Sequence, residues 1–325
     1  MRSDAEWLDI LRTNQGFVQP HRWIDYARRH GFRPVPATKL PSCPDCGEVQ
    51  ARTIGQYVYY STLISLKACA RCHLLYSDTR IHPAIIRSHF DRAYNDEDYF
   101  LVRRQSIFEQ IAAEVAARAP RGGAVLDVGG AKGHLMASVQ RRRPDLAITV
   151  NDLSRSKCEW AESHYGLRTI CGPAADLAGC SERFDVVTAI DVLYYEPNIS
   201  QLWSVLARLL KPRGTVILRV PNNLPAILGQ RLVANALTTA RARQMRTRIN
   251  HFNPEHLYVF SKKYLETRLA ALGFSVEVLP SPILESAGGM GGVSRLYYRL
   301  ARALHFLSGR RLTITPGMLV IGSRR

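Results

Sequence analysis

The stretch Val125-Leu-Asp-Val-Gly-Gly-Ala-Lys-Gly-His134 constrains this chain more than any other. It reads as a short apolar strand, a glycine-rich turn and the start of a helix. A second apolar run, Ala147-Ile-Thr-Val150, follows and ends in Asn151-Asp152. A strand, a glycine turn, a helix and a second strand closed by an acid form the opening unit of a doubly wound α/β sheet. In such a sheet, glycines let the backbone pass close to an adenosine-containing ligand and the acid takes the two ribose hydroxyls.

The glycine spacing separates two ligand classes. A dinucleotide fingerprint requires G-x-G-x-x-G; counted from Gly129 those places hold Gly129, Ala131 and His134, so two of the three fail. The pattern acid-x-G-x-G-x-G is met by Asp127, Gly129 and Gly133, with Ala131 in the middle place. This resembles the first motif of class I S-adenosylmethionine-dependent methyltransferases. Glycine-rich strand–helix turns also occur with no ligand, so the rest of the segment matters. Phe184-Asp-Val-Val-Thr-Ala-Ile190 reads as a buried fourth strand, closed by Asp191-Val-Leu-Tyr-Tyr-Glu-Pro197. Ser200 to Leu210 carries leucines at helical spacing and stops at Lys211-Pro-Arg-Gly214. Thr215-Val-Ile-Leu-Arg-Val-Pro221 then supplies a fifth strand. Leu209 to Leu218 is similar to the helix-to-strand element of these methyltransferases, and Tyr264 to Phe274 to their next helix and turn. The resemblance covers residues 90–325 in the family's order. It implies a Rossmann-like, seven-stranded methyltransferase sheet.

The resemblance also implies site roles. Asp127, Gly129, Gly130 and Gly133 approach the methionine end of S-adenosylmethionine, Asp152 the ribose, and Asp191, at the tip of the fourth strand, the place where the methyl group is presented. The bland alternatives are an Asp127 that only ties down its turn and an Asp152 that only caps a helix. Many relatives have an acid after the glycine that follows the third strand; here Pro173 stands there, and Asp176 is the substitute. A tyrosine-rich segment ahead of the first strand often folds over the cofactor, which places Tyr94 and Tyr99 there. Where relatives read V-L-E-H after the fourth strand, this chain has Val192-Leu-Tyr-Tyr195 and then Glu196. Tyrosine is a poor base near neutrality but a good orienting donor, whereas histidine is matched to that pH. His251 is therefore the expected base, Tyr195 and Glu196 its support, and His256 a second candidate.

Upstream, Cys43-Pro-Asp-Cys46 and Cys69-Ala-Arg-Cys72 form two C-x-x-C knuckles around a segment rich in strand formers. Four thiolates in two such turns make a closed tetrahedral site, the way structural zinc is held. Gly47 can take the left-handed turn after the first knuckle; His73 holds the equivalent place after the second. Paired disulfides are the alternative. Met1-Arg-Ser-Asp-Ala-Glu has no signal-peptide pattern, and three further cysteines, Cys158, Cys171 and Cys180, suit a reducing cytoplasm. The expected organisation is an N-terminal helical segment (1–40), a zinc ribbon (41–80), a connecting segment and lid (81–120) and a methyltransferase domain (121–325) with an insertion at 222–258. No apolar stretch approaches the ~20 residues of a membrane span.

The formal net charge is +17. A field of that size favours acidic partners: nucleic acid, anionic lipid or a nucleotide-linked substrate. Arg141 to Arg143 end the first helix, where cations suit its dipole. Arg241, Arg243, Arg246 and Arg248 cluster in the insertion after the fifth strand. Ser294 to Leu307 sets Leu296, Leu300, Leu304 and Leu307 on one face and Arg295, Arg299 and Arg302 on another. This basic amphipathic helix is expected to pack against the sheet, with peripheral membrane contact as the alternative.

A ribbon ahead of this domain resembles bacterial methyltransferases that act on sugars or small metabolites. The acceptor it implies is a small molecule or glycan, nucleotide-linked in one version, with O-methylation in polysaccharide or natural-product pathways. An RNA methyltransferase acting on ribosomal RNA is the rival, opposed by the absence of an Asn/Asp-Pro-Pro-Tyr/Phe motif for a flipped base. The non-enzymatic reading is a zinc-ribbon adaptor on a methyltransferase fold.

Overall fold

The computed structural model describes residues 36–59, 62–82, 104–236, 255–282 and 292–324. The chain divides into two compact units, one drawn from Met1–Ile86 and Asn223–Val259, the other from Arg87–Asn222 and Phe260–Arg325.

The first unit opens with short antiparallel strands. β1 (Ala37–Lys39) pairs with β5 (Thr79–Ile81), and β2 (Ala51–Tyr59), β3 (Thr62–Cys69) and β4 (Leu75–Ser77) form a meander. Ile54, Tyr57, Ile64 and Leu66 supply its buried face. Ile54 and Tyr57 are three residues apart in β2, and the register shift between Thr53 and Gly55 lies beside Ile54.

The second unit is built around a sheet. α1 (Gln105–Arg118) buries Ile107, Ile111, Ala112 and Val115, one face of a helix at three- and four-residue spacing. It falls in the segment 81–120 that the sequence reads as connector and lid, yet these residues belong to the core of the sheet. There follow β6 (Ala124–Val128), α2 (His134–Arg142), β7 (Ala147–Asp152), α3 (Arg155–Tyr165), β8 (Arg168–Cys171) and β9 (Phe184–Ile190). After a short 3₁₀ turn at Leu193–Tyr195 comes α4 (Ile199–Leu209), which buries Ile199, Leu202, Trp203, Val205, Leu206 and Leu209. Its N-cap is Asn198, whose Oδ1 accepts from the amide of Gln201 at 3.2 Å. β10 (Leu210–Pro221) starts where α4 ends. Lys211 to Gly214, read from sequence as a terminator between helix and strand, lies inside β10 as a register shift between Leu210 and Thr215, with Arg213 at φ 64°.

The chain then leaves the sheet. α5 (Leu224–Ala236) and β11 (Tyr258–Val259) belong to the first unit. β11 pairs antiparallel with β4, Tyr258 opposite Tyr76 and Val259 opposite Leu75, which completes a four-stranded sheet of order β11-β4-β3-β2. Leu224 and Ile227 pack on the same core as Ile54 and Leu66. The insertion is thus part of the ribbon unit. The arginine cluster at 241–248 and the expected N-terminal helices lie outside the described residues.

α6 (Lys262–Ala271), β12 (Phe274–Ser281), α7 (Gly292–Leu307) and β13 (Gly317–Arg324) finish the second unit. Its seven strands run in the order β12-β13-β10-β9-β6-β7-β8, and β13 is antiparallel to both neighbours while the pairs from β10 to β8 are parallel. The doubly wound fold is therefore the one the glycine turn announced. Val125, Leu126, Val128, Val186, Val187 and Ala189 are all buried, as strands covered on both faces require. Trp203 Nε1 donates to Tyr264 Oη at 3.1 Å and ties α4 to α6. α7 departs from expectation: Ala301 and His305 are its buried residues, and Leu296, Leu300, Leu304 and Leu307 are exposed. Among the described residues no helix is long and apolar enough to cross a membrane.

Candidate active site and metal centre

Strand order reverses at β6, which has β7 on one side and β9 on the other, and ligands of open α/β sheets bind at the carboxyl ends of strands at such a point. The glycine turn sits there. Gly129, Ala131 and Gly133 all have left-handed φ, at 71°, 49° and 74°. A Cβ on Gly129 would stand 2.5 Å from Val192 Cγ2, and one on Gly130 would stand 2.6 Å from Asp127 Oδ2. The turn is therefore clamped between the end of its own strand and the loop that follows β9.

Two carboxylates hold it. Asp152 Oδ2 accepts from the amide of Ala131 at 2.8 Å and Oδ1 from that of Ser154 at 2.9 Å, so one side chain braces both the turn and the start of α3. The N-cap of α3 is Ser154 rather than Asp152, and the two amides orient the carboxylate that the ribose role requires. Asp127 is buried, and its Oδ1 accepts from Thr188 Oγ1 at 2.6 Å. Burial pushes its pKa up to about 7; the charge of Asp152 adds to this, and the Thr188 hydrogen bond works against it. Asn151, buried beside them, donates from Nδ2 to the carbonyls of Ile170 and Gly172, both at 2.9 Å, and so fixes the loop after β8. Asp176 follows that loop, exposed, in the 3₁₀ turn Ala174–Gly179.

Asp191 stands at the tip of β9, as the sequence places it, with φ 56° and its amide donating to Arg219 O at 2.9 Å. Its carboxylate is gripped by two buried guanidinium groups. Arg219 Nη1 donates to Oδ1 at 2.6 Å, and Arg104, the residue before α1, donates to Oδ2. Arg219 also donates to Ser281 Oγ at 3.1 Å and to Pro282 O at 2.8 Å. With both oxygens accepting from arginines, Asp191 is held fixed at the strand tip. Beyond it, Tyr195 and Glu196 are half-buried, while Tyr194 is buried against the Tyr195 ring at 4.5 Å. Val192, which opens this loop, is the residue in contact with Gly129, so the structure brings Tyr195 and Glu196 to the same end of the sheet as Asp127 and Asp152. His251, Tyr94 and Tyr99 lie outside the described residues. His256 is buried in the ribbon unit, where its carbonyl accepts from Ser77 Oγ at 3.4 Å.

Sequence reasoning passed over Arg104, Arg219, Thr188 and Asn151. Three of them carried a signal: a charge or hydrogen-bonding group inside an apolar strand needs a buried partner, and Arg219, Thr188 and Asn151 interrupt such runs.

Residues 100–279 match a family described as a methyltransferase domain. The chain belongs to the methyltransferase domain family. It is 31% identical over 132 residues to the ubiquinone biosynthesis O-methyltransferase of Xanthomonas axonopodis pv. citri, a match covering 36% of this chain and 53% of that protein. The chain thus spans about half the length of this curated relative. Among solved structures it is similar to an O-methyltransferase family protein from Burkholderia thailandensis (TM-score 0.44, 17% identity, covering 75% of this chain and 60% of that one). It is also similar to a SAM-dependent methyltransferase from Archaeoglobus fulgidus (TM-score 0.43, 16% identity, 70% and 100% covered).

This member of the family also carries a cysteine cluster, in its ribbon unit. The Sγ atoms of Cys43, Cys46, Cys69 and Cys72 all lie within 4.8 Å of one another, with Cys43–Cys72 at 3.6 Å and Cys46–Cys69 at 3.5 Å. Thiolates at ~2.3 Å from a tetrahedral zinc stand about 3.8 Å apart, so the cage has the right size. Each knuckle closes on a left-handed residue, Gly47 at φ 74° and His73 at φ 61°. The hydrogen bond from Cys72 draws the Cys43 thiol down to about 5, and the shared proton pushes Cys72 up. A thiol already inclined to ionise suits a cation.

Proposed function

We propose that this protein transfers a methyl group from S-adenosylmethionine to an oxygen of a sugar or glycosylated small molecule in polysaccharide or natural-product biosynthesis. The observation that carries the donor site is the glycine turn at the switch point, held by Asp152 and by Val192. The donor supplies an already activated methyl on a sulfonium cation, so the protein's work is to position the partners and to manage the acceptor's proton. Gly129, Gly130 and Gly133 open the backbone to the methionine end, with Asp127 beneath them. Asp152 offers the ribose a carboxylate pre-oriented by two amides. Asp176, beside Gly172, takes the adenine end. Tyr195 and Glu196 orient the acceptor hydroxyl, and His251 accepts its proton. Asp191, through Arg104 and Arg219, positions their loop. Cys43, Cys46, Cys69 and Cys72 hold a structural Zn2+ with no open position for chemistry. Oxygen as the acceptor atom is supported by the O-methyltransferase name of the curated relative, and the sugar by the ribbon that precedes the domain.

The test is calorimetric titration of zinc-replete protein with S-adenosylhomocysteine beside an Asp152→Ala variant. Binding by the wild type and its loss in the variant support the reading; no binding by folded protein leaves the adaptor reading. The charge of +17 keeps RNA as the second acceptor class. Binding to ribosomal RNA that survives salt above ~0.3 M counts against a phosphate-dominated interface. Screening sugar nucleotides and ribosomal RNA as methyl acceptors decides between the two.

A further inference from the structure

α7 is the least covered helix face among the described residues of the sheet unit. Val293 is 86% exposed, Leu296 59%, Leu300 61%, Leu304 40% and Leu307 85%. Their spacing of three, four, four and three residues puts them in one stripe along the helix. The opposite contacts fasten α7 down. Ala301 and His305 are buried, His305 Nδ1 lies 3.0 Å from the carbonyl of Leu312, and Tyr297 Oη donates to Ile314 O at 2.5 Å. The helix is thus pinned along one side and presents an apolar stripe on another. Arg295, Arg299 and Arg302 run beside that stripe, all exposed, and the helix contains no Asp or Glu.

We infer that α7 is a docking helix for an anionic lipid surface, with its leucine stripe in the acyl–headgroup boundary and its arginines on lipid phosphates. A surface helix with leucines on one face and cations on another is built for that boundary. Charge complementarity selects this occupant over a second copy of the chain. A copy would bring the same cation-only helix and another +17 of charge, and the helix has no carboxylate to receive it. Size points the same way: five aliphatic side chains on one helix fall well short of the ~20–30 residues a side that a stable protein interface takes. The inference rests on the surface of α7 and does not depend on the acceptor.

The experiment is flotation of the full chain with vesicles of phosphatidylcholine containing about one-third phosphatidylglycerol, beside pure phosphatidylcholine vesicles. Two variants are compared, Leu296→Glu with Leu300→Glu, and Arg295→Glu with Arg299→Glu. All four side chains are exposed, and circular dichroism confirms folding. Wild type is expected on the anionic vesicles at least about tenfold more than on neutral ones, and each double variant is expected to lose about tenfold. Three results would overturn the inference: no vesicle binding by wild type, binding unchanged in the leucine variant, or a wild-type dimer in sedimentation that the leucine variant dissolves.

Discussion

Asp127 is a carboxyl that the fold prefers uncharged. Its unfolded pKa is near 3.9, and burial first of all raises the folded value to about 7. A raised acid contributes stability in full below the unfolded value and loses it as the pH rises through the folded one. The ligand-free protein should therefore lose stability as the pH rises from about 4 to about 7, by up to roughly 1.4 kcal/mol per pH unit, and level off above that, and Asp127→Asn should flatten the slope in urea titrations at several pH values. Thr188→Val removes the donor that opposes the shift, so the loss should continue to higher pH, and the protein should be weakened by about 1–3 kcal/mol through the lost hydrogen bond. Ala131 offers a prediction of opposite sign. It sits at φ 49°, a conformation that costs a side-chain-bearing residue roughly 1 kcal/mol, and its amide bond to Asp152 offsets the strain. Ala131→Gly should raise the urea midpoint by an equivalent of about 1 kcal/mol with an unchanged slope.

At the scale of elements, the turn after β6 and the loop after β9 share one contact. Gly129→Ala places a methyl 2.5 Å from Val192 Cγ2 at a left-handed φ, so the cost should be about 1–3 kcal/mol, and S-adenosylhomocysteine should bind more weakly because the turn itself moves. A calorimetric titration beside a denaturation curve separates the two effects. The elements that sequence reading located well are those whose burial is encoded locally. β9 and the second half of β10 are mostly apolar runs, and the turn between β6 and α2 has Gly129 and Gly133 where φ is positive. What was not legible depended on distant partners. α7 has an unmistakable apolar stripe, but periodicity says only that a face is apolar and not whether anything covers it. α5 and β11 follow β10 in the chain and so read as an insertion in the sheet domain, whereas their partners Leu75 and Tyr76 lie far upstream. Around the glycine turn the spacing rules pointed to Asp127 and Asp152, and upstream they pointed to the four cysteines whose sulfurs lie within 4.8 Å of one another. They missed Arg104, whose partner Asp191 becomes a neighbour only once α1 is packed on the sheet.

For the whole molecule, two units mean two cores. Trp160 and Trp203 belong to the sheet unit, whereas Trp7 and Trp23 lie in Met1–Ile86, so in a Trp7→Phe, Trp23→Phe variant the tryptophan fluorescence follows the sheet unit alone. Chelation of a bound metal, or Cys46→Ser, should abolish the cooperative melting of the ribbon unit while leaving the tryptophan-detected midpoint of the sheet unit unchanged. Loss of both together would mean that the cysteine cluster supports more than its own sheet. The ribbon unit is also discontinuous: Ser77 donates to the carbonyl of His256, 179 residues further on, and β11 pairs with β4 beside it. At ~5–20 residues per second, a ribosome delivers the four cysteines and three strands of that sheet on the order of ten to forty seconds before the strand that closes it. Throughout that interval β4 presents an open edge to any neighbouring nascent chain, the state in which strands pair with the wrong partner. The ribbon is begun before the seven-stranded sheet and closed only after five of its strands, β6 to β10, have been made. Early capture of metal by the knuckles would then serve as a clasp on an unfinished module during synthesis.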